Sequence, residues 1–218
     1  MNNALKIDFV SDVVCPWCAI GLAGLNIALE RIGPAAHVDI TFHPFELNPD
    51  MPTAGQVQLD YITEKYRISA DQARANREQI RTRAAAVGFT MKRDDASLVY
   101  NTFDAHRLLA WAKEKDAQAA LKAALLKAYF TDGKNIADRE VLAELARQVG
   151  LDGAEAGDML ASDRFAQEVK AEEALWAQRG ISSVPAVVVN DRYLISGGQP
   201  PEVFEQQLRE ILAGDAHG

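Results

Sequence analysis

The feature that most constrains the fold is the position of the only two cysteines, which lie three residues apart in Cys15-Pro16-Trp17-Cys18. This segment follows a predicted strand over residues 5–10 and begins a predicted helix, which Gly33-Pro34 ends. Residues 38–43 then alternate in polarity with period two, which predicts a second strand. A strand, a helix and a strand in this order predict a βαβ unit with a parallel pair and a right-handed crossover.

A block of helices and a second set of strands follow. The periodicity and the capping residues predict helices over residues 70–87, 97–115 and 117–131, a further one after Asp138, and one from about residue 162 to Gly180. A hairpin is predicted from residues 186–189 and 192–195, around the two-residue turn Asn190-Asp191. The last predicted helix begins at Pro200-Pro201 and ends at Gly214.

This order of elements predicts an α/β fold of the thioredoxin-like type. An all-helical insertion lies between the βαβ unit and the C-terminal ββα unit, and we expect it to roof the active site. We expect residues 1–48 and 164–218 to form the thioredoxin-like domain and residues 49–163 to form the insertion. No Gly/Ser-rich linker separates the two parts, so we expect one body rather than two linked domains.

Charge and composition exclude several classes of function. The net charge of −8 argues against a nucleic-acid or anionic-membrane partner, since both need a basic surface. No apolar run is long enough to cross a bilayer, and the N-terminus lacks a secretory pattern, so we expect a cytoplasmic protein. The four histidines are scattered without metal-ligand spacing, and we therefore expect no metal site.

A Cys-x-x-Cys pair directly after the first strand of a βαβ unit predicts redox chemistry. Cys15 would lie at the N-terminal edge of the helix, with Pro16 at the first helical position, where a missing N–H costs nothing. Free N–H groups and the helix dipole there favour the Cys15 thiolate, which makes Cys15 the attacking sulfur and Cys18 the resolving one. Trp17 is expected to shape the approach of the substrate. The alternative is a pair of buried structural cysteines.

The second signal is Val184-Pro185, immediately before the predicted strand at residues 186–189. A proline here is compatible with an ordinary strand start. In a thioredoxin-like fold, however, this position holds a cis-proline beside the cysteine pair. The backbone of Val184 is then free to pair with an extended substrate, as an added strand would.

The sequence resembles the DsbA-like thioredoxin family, and within it the FrnE-like branch, which is related to 2-hydroxychromene-2-carboxylate isomerases and kappa-class glutathione transferases. The resemblance covers nearly the whole chain and rests on residues 8–18, 45–52, 101–109, 184–185 and 196–200. It implies an oxidoreductase that makes, breaks or shuffles disulfides, with Cys15, Cys18 and Pro185 in the roles above. It implies no tightly bound cofactor, leaves glutathione open as a co-substrate, and is compatible with a homodimer.

Other residues are weaker candidates. His106 either faces the active-site cleft and acts on a substrate proton or is a packed helical residue. Asn48 either reaches the cleft or is a turn residue before a proline. Asp12 lies near the cysteines in sequence, and we expect it to be solvated in a loop. Trp111 and Trp176 are expected to belong to the core.

Three functions follow from these observations. The first is dithiol–disulfide exchange on protein or small-molecule disulfides. The second is a glutathione-dependent isomerase or transferase that acts on a small aromatic molecule, with glutathione bound along Val184-Pro185. Because the isomerases and kappa-class transferases carry serine at the position of Cys15, the intact cysteine pair favours the first. The third is a non-catalytic, chaperone-like module, which would keep its activity after both cysteines are replaced.

Overall fold

The structure, a computed structural model, describes residues 4–215. In chain order its helices and strands are β1 (Ala4–Ser11), α1 (Pro16–Ile32), β2 (His37–Pro44), β3 (Gln56–Val57), α2 (Gln58–Tyr66), α3 (Ala70–Ala86), β4 (Leu98–Val99), α4 (Phe103–Lys113), α5 (Gln118–Phe130), α6 (Arg139–Gln148), α7 (Gly153–Ala161), α8 (Ala166–Gln178), β5 (Ala186–Val189), β6 (Tyr193–Ser196) and α9 (Pro201–Asp215).

A four-stranded sheet in the order β2-β1-β5-β6 forms the centre of the fold. β1 pairs in parallel with β2, where Phe9 lies opposite Phe42, and it pairs antiparallel with β5. The predicted βαβ unit is therefore confirmed. Helix α1 packs against α9, and both α5 and α8 pack along β2. The molecule is a thioredoxin-like α/β fold that carries a helical insertion, as the order of its elements predicts.

The insertion differs from the sequence prediction in detail. It is not entirely helical, because β3 and β4 form a small two-stranded antiparallel sheet. This pairing takes Leu98 and Val99 out of the predicted helix over residues 97–115, which begins only at Phe103. Helices α2 and α7 lie in the region expected to be helical, but the prediction gave them no bounds. No side chain of α2 is fully buried, and Gly153 and Gly157 lower the helix propensity of α7.

The C-terminal unit also corrects two predictions. Val189 pairs with Tyr193, so the hairpin turn contains three residues rather than two. Asn190 and Asp191 adopt the left-handed conformation that such a turn needs. Helix α9 passes through Gly214 to Asp215 instead of ending at the glycine.

One continuous hydrophobic core joins the sheet to the insertion. It contains Phe9 from β1, Leu25 from α1, Trp111 from α4, Leu125 from α5 and Phe204 from α9. Trp176 belongs to a smaller cluster with Val10 and Ala186, so both tryptophans expected in the core are buried. The division at residues 48/49 and 163/164 stays a prediction. Within residues 4–215 no helix is long and apolar enough to cross a membrane.

Candidate active site

Helix α1 holds Cys15 at its N-cap. Cys15 has extended backbone angles, Pro16 occupies the first helical turn, and no acidic residue stands in that turn. The carbonyl of Cys15 accepts bonds from the N–H groups of Cys18 at 3.1 Å and Ala19 at 3.3 Å, which fixes the start of the helix. The Cys15 sulfur therefore lies at the positive end of a 17-residue helix dipole, where negative charge is stabilised.

Cys18 lies one turn further into the helix and is completely buried. Both cysteines are free thiols. Burial, followed by the interaction with Cys15, raises the pKa of the Cys18 thiol well above its ordinary value. The two sulfurs are thus unequal: Cys15 retains a little exposure, 4%, and Cys18 has none.

The segment before β5 completes the sulfur environment. The Val184–Pro185 peptide is cis, as expected from its place in the fold, and the Val184 carbonyl oxygen lies 3.8 Å from Cys15 Sγ. Gly21 and Gly198 permit this close packing, because a Cβ on Gly21 would meet Gly198 Cα and Pro185 Cγ at 3.2 Å. The cysteine pair and the cis-proline, about 170 residues apart in sequence, therefore form one site.

A cleft of about 620 Å³ opens beside Cys15. Its volume is in the range of small-molecule sites. Helices α2 and α3 form much of its lining, so the insertion covers the site as the sequence predicts. Four predicted site residues line the cleft together with Cys15; they are Pro16, Trp17, Asn48 and Val184. Trp17 is 39% exposed, the arrangement of a side chain that can meet a substrate.

Asp12, which also lines the cleft, forms a buried pair with His106. His106 Nε2 lies 3.3 Å from Asp12 Oδ1, and the Leu47 N–H donates to Asp12 Oδ2 at 2.8 Å. Burial raises the pKa of Asp12, but the hydrogen bond and charge of His106, with smaller contributions from Leu47 and Lys122, outweigh it and lower the pKa below its ordinary value. The expectation that Asp12 is solvated was wrong, because packing from the insertion covers it. His106 is packed and is absent from the cleft lining.

Lys122 is the residue that sequence reasoning missed. It lies on α5 and is completely buried, and its Nζ has no hydrogen-bond partner. A signal for it exists in the sequence, because the buried stripe of α5 includes Gln118, Leu121, Leu125 and Lys122 at helical spacing. A lysine on such a stripe is unusual, since lysine is almost never fully buried unless it is paired.

Two carboxylates lie at the edge of the site. The Glu46 N–H donates to Glu173 Oε1 at 2.9 Å, and Glu46 Oε2 is buried without a partner. Burial, with the negative charges of Glu173 and Asp12 as smaller causes, raises the pKa of Glu46 to about 7. Among residues 4–215 no cluster of three or more His, Cys, Asp or Glu side chains could hold a metal ion.

A dithiol at a helix N-terminus, set beside a cis-proline on a thioredoxin-like fold, defines a thiol–disulfide oxidoreductase. Comparison with protein families agrees: the model of the DSBA-like thioredoxin domain matches residues 6–209. The chain belongs to the DsbA-like thioredoxin family. The resemblance identified from the cysteine and proline motifs is therefore confirmed.

Individual proteins show how far the similarity extends. The crystal structure of a probable DsbA oxidoreductase from Streptomyces coelicolor is 36% identical in sequence and superposes with a TM-score of 0.87. The match covers 96% of this chain and 90% of that one. YwbO from Bacillus subtilis is 27% identical over 94% of this chain and 96% of its own length. The cytosolic disulfide reductase DsbM from Pseudomonas aeruginosa, solved with GSH, is 20% identical with a TM-score of 0.65, over 95% and 99% of the two chains. The last similarity shows the shared fold alone.

Proposed function

We propose that this protein exchanges disulfides with its substrates through Cys15 and Cys18. The Cys15 thiolate attacks one sulfur of a substrate disulfide and forms a mixed disulfide. The other substrate sulfur leaves as a thiolate and takes up a proton. Cys18 then loses its proton and attacks Cys15 Sγ, and the second substrate sulfur leaves with the electron pair. The substrate gains two electrons and two protons, and the protein becomes the disulfide form.

The observation that carries this proposal is the position of Cys15 Sγ, 3.8 Å from the Val184 carbonyl oxygen and at the wall of the cleft. A substrate that pairs with the backbone of Val184 brings its sulfur next to Cys15, in the manner of an added strand. Cys18 is buried behind Cys15 and does not line the cleft, so it meets only the mixed disulfide. This inequality supports the proposal that Cys15 attacks and Cys18 resolves.

The direction of exchange that we propose is reduction of the substrate in the cytoplasm. Glutathione and related systems keep that compartment reducing, so cysteine pairs there are held in the reduced, dithiol form. This direction rests on the expected cytoplasmic setting, and DsbM, a protein of the same fold, is a cytosolic disulfide reductase.

Reduction of insulin disulfides with dithiothreitol tests the proposal. We expect the wild-type chain to accelerate insulin precipitation and Cys15→Ser to lose the acceleration. Cys18→Ser should form the mixed disulfide and retain it, which mass spectrometry of the intact protein would detect. Equal rates for the wild type and Cys15→Ser would refute the proposal, and they would direct attention to binding without thiol chemistry.

A second candidate takes glutathione as a co-substrate, including the isomerase or transferase chemistry of a small aromatic molecule. The size of the cleft favours it, since its volume suits a small ligand better than a folded protein surface. DsbM, solved with GSH, supports a small thiol at this fold. The test is titration of the Cys15→Ser chain with reduced glutathione by calorimetry. Absence of binding at millimolar glutathione would rule this candidate out.

A further inference from the structure

The cleft beside Cys15 has the opposite charge to the chain as a whole. The protein carries a net charge of −8, yet within residues 4–215 the lining of the cleft contains one carboxylate and three guanidinium groups. The carboxylate is that of Asp12, which is paired with His106. The guanidinium groups belong to Arg77, Arg81 and Arg93. Such a lining favours an anionic ligand over a cationic one.

Arg93 differs from the other two arginines because it lacks a carboxylate partner. Arg77 pairs with Asp95, and Arg81 Nη1 lies 3.2 Å from Glu78 Oε2. In the part of the chain that the structure describes, the hydrogen bonds of the Arg93 side chain all go to neutral groups. Arg93 is only 5% exposed, and a buried cation without an anion is costly. Its place in the cleft wall is explained if the cleft accepts an anion.

The contacts of Arg93 hold its guanidinium in a fixed position. Nη2 donates to the Tyr129 hydroxyl at 2.9 Å and to the Leu98 carbonyl, and the guanidinium carbon lies 4.0 Å from the centroid of the Tyr129 ring. Nε is buried and has no hydrogen-bond partner, so the group keeps an unused donor. A planar guanidinium held in this way suits a carboxylate, which it can bind through two parallel N–H donors.

The rest of the cleft suits an apolar body. On α2, Leu59, Ile62 and Tyr66 follow one another at helical spacing, and all three line the cleft. None of them is fully buried, and Tyr66 is 55% exposed, so the apolar face of α2 is turned to the cleft rather than to the core. A ligand that covers this face would remove apolar surface from water, which favours binding.

We propose that the cleft binds small apolar disulfides that carry a carboxylate, which Arg93 holds while the disulfide lies at Cys15. This inference rests on the exchange reaction proposed above and names the class of substrate for it. The reaction itself is unchanged: the dithiol gives two electrons and two protons, and the disulfide becomes two thiols. Glutathione disulfide is also anionic, but its body is polar, and we expect it to be a poorer substrate.

A matched pair of aromatic disulfides tests the class of substrate. The acid 4,4′-dithiodibenzoate and its diamide have nearly the same shape and differ in charge, and the disulfides of 3-(4-mercaptophenyl)propionate and of its amide form a longer pair. The reduced protein, freed of dithiothreitol, is mixed with each disulfide and quenched with acid. Alkylation of the remaining thiols and intact mass then count the dithiol that is left. Each rate is divided by that of mercaptoethanol, which corrects for the leaving thiol.

We expect the wild type to prefer the acid to the amide by roughly 10- to 100-fold in at least one pair, because a hydrogen-bonded charge pair is lost with the amide. Arg93→Gln should bring this ratio close to one, through a higher half-saturating concentration of the acid and little change in the maximal rate. The ratio compares two substrates on one protein, so a general loss of stability does not produce it. The matched control is Arg83→Gln, an exposed arginine of α3 outside the cleft lining, which should keep the wild-type ratio.

The outcomes separate this inference from the exchange reaction. Equal corrected rates for acid and amide in both pairs overturn the class of substrate and leave the exchange reaction intact. A preference for the acid that Arg93→Gln retains overturns the role of Arg93. Glutathione disulfide that reacts as fast as the aromatic acids overturns the need for an apolar body. A wild-type dithiol that reacts with none of these disulfides, and does not reduce insulin, refutes the exchange reaction and the inference together.

A second measurement decides the matter if Arg93→Gln does not fold. Benzoate should compete with the diamide for the wild-type cleft and slow its reduction, whereas benzamide at the same concentration should have a much smaller effect. Equal inhibition by the two compounds would overturn the carboxylate site.

Discussion

Removal of His106 tests whether its buried pairing with Asp12 contributes to stability. His106→Leu deletes the contact at 3.3 Å to Asp12 Oδ1 and leaves a buried carboxylate with the Leu47 N–H at 2.8 Å. Leaving a buried polar group without its hydrogen-bond partner costs about 1–3 kcal/mol, and more when that group is charged. Because Asp12 carries a carboxylate but keeps the Leu47 bond, we expect a loss of about 3 kcal/mol in the free energy of unfolding at pH 7.

The assay is urea unfolding of His106→Leu, of Asp12→Asn and of the double variant. A loss of about 3 kcal/mol corresponds to a fall of roughly 6–12 °C in melting temperature for a chain of this size. Adding Asp12→Asn to His106→Leu removes the unpaired charge and should recover about half of the loss. The control is His37→Leu at an exposed position in β2, which we expect to stay within about 0.5 kcal/mol of the wild type.

The pH dependence gives a second check on the same pair. The pKa of Asp12 in the folded protein is below its ordinary value of 3.8, so its contribution to stability is present above that value and is lost as the pH falls through the lowered pKa. In His106→Leu, the histidine that lowers the Asp12 pKa is gone, while burial still raises that pKa. Asp12 therefore takes up a proton at a higher pH than in the wild type. The difference between wild type and variant should therefore shrink between pH 7 and pH 4. If His106→Leu lost less than about 1 kcal/mol of unfolding free energy at every pH, the stabilising role of the His106–Asp12 contact would be refuted.

Two further predictions concern the edges of the site. Gly198→Ala places a Cβ 2.7 Å from the Trp17 carbonyl oxygen. This overpacking should lower the free energy of unfolding by about 1–3 kcal/mol and slow insulin reduction. The control is Gly157→Ala on α7, where the new Cβ would have no atom within 4 Å and should cause no loss of stability. Glu46→Gln should stabilise the chain at pH 8 by about 1 kcal/mol and hardly at pH 4. Because the pKa of Glu46 is raised from 4.5 to about 7, the wild-type chain loses stability as the pH rises between those values. Equal urea midpoints for the wild type and Glu46→Gln at pH 8 would contradict this prediction.

Local sequence signals were sufficient for the elements that carry the cysteines. Pro16 after Cys15 and the Gly33-Pro34 end define α1, and both were confirmed. The cis peptide at Val184–Pro185 follows from its place before β5. By contrast, β3 and β4 are two residues each and pair across about 40 residues, so no local periodicity could reveal them.

The burial of polar side chains followed a different rule. Asp12 lies in a short connection that, taken alone, would be solvated, and it is buried because Leu47 and His106 come to it from two other parts of the chain. Such burial depends on how separate elements pack, and the sequence of any one element does not contain that information.

The sequence by itself determined the order of the strands and helices of the thioredoxin-like part, the dithiol at the start of α1 and its partner proline, because these depend on spacing and on the local chemistry of proline, glycine and cysteine. Only the tertiary structure decided that the Cys15 sulfur lies 3.8 Å from the Val184 carbonyl oxygen, at the wall of a cleft that the insertion covers. The reason is physical: contacts between residues more than a hundred positions apart are selected by close packing of the whole core, which no local pattern records.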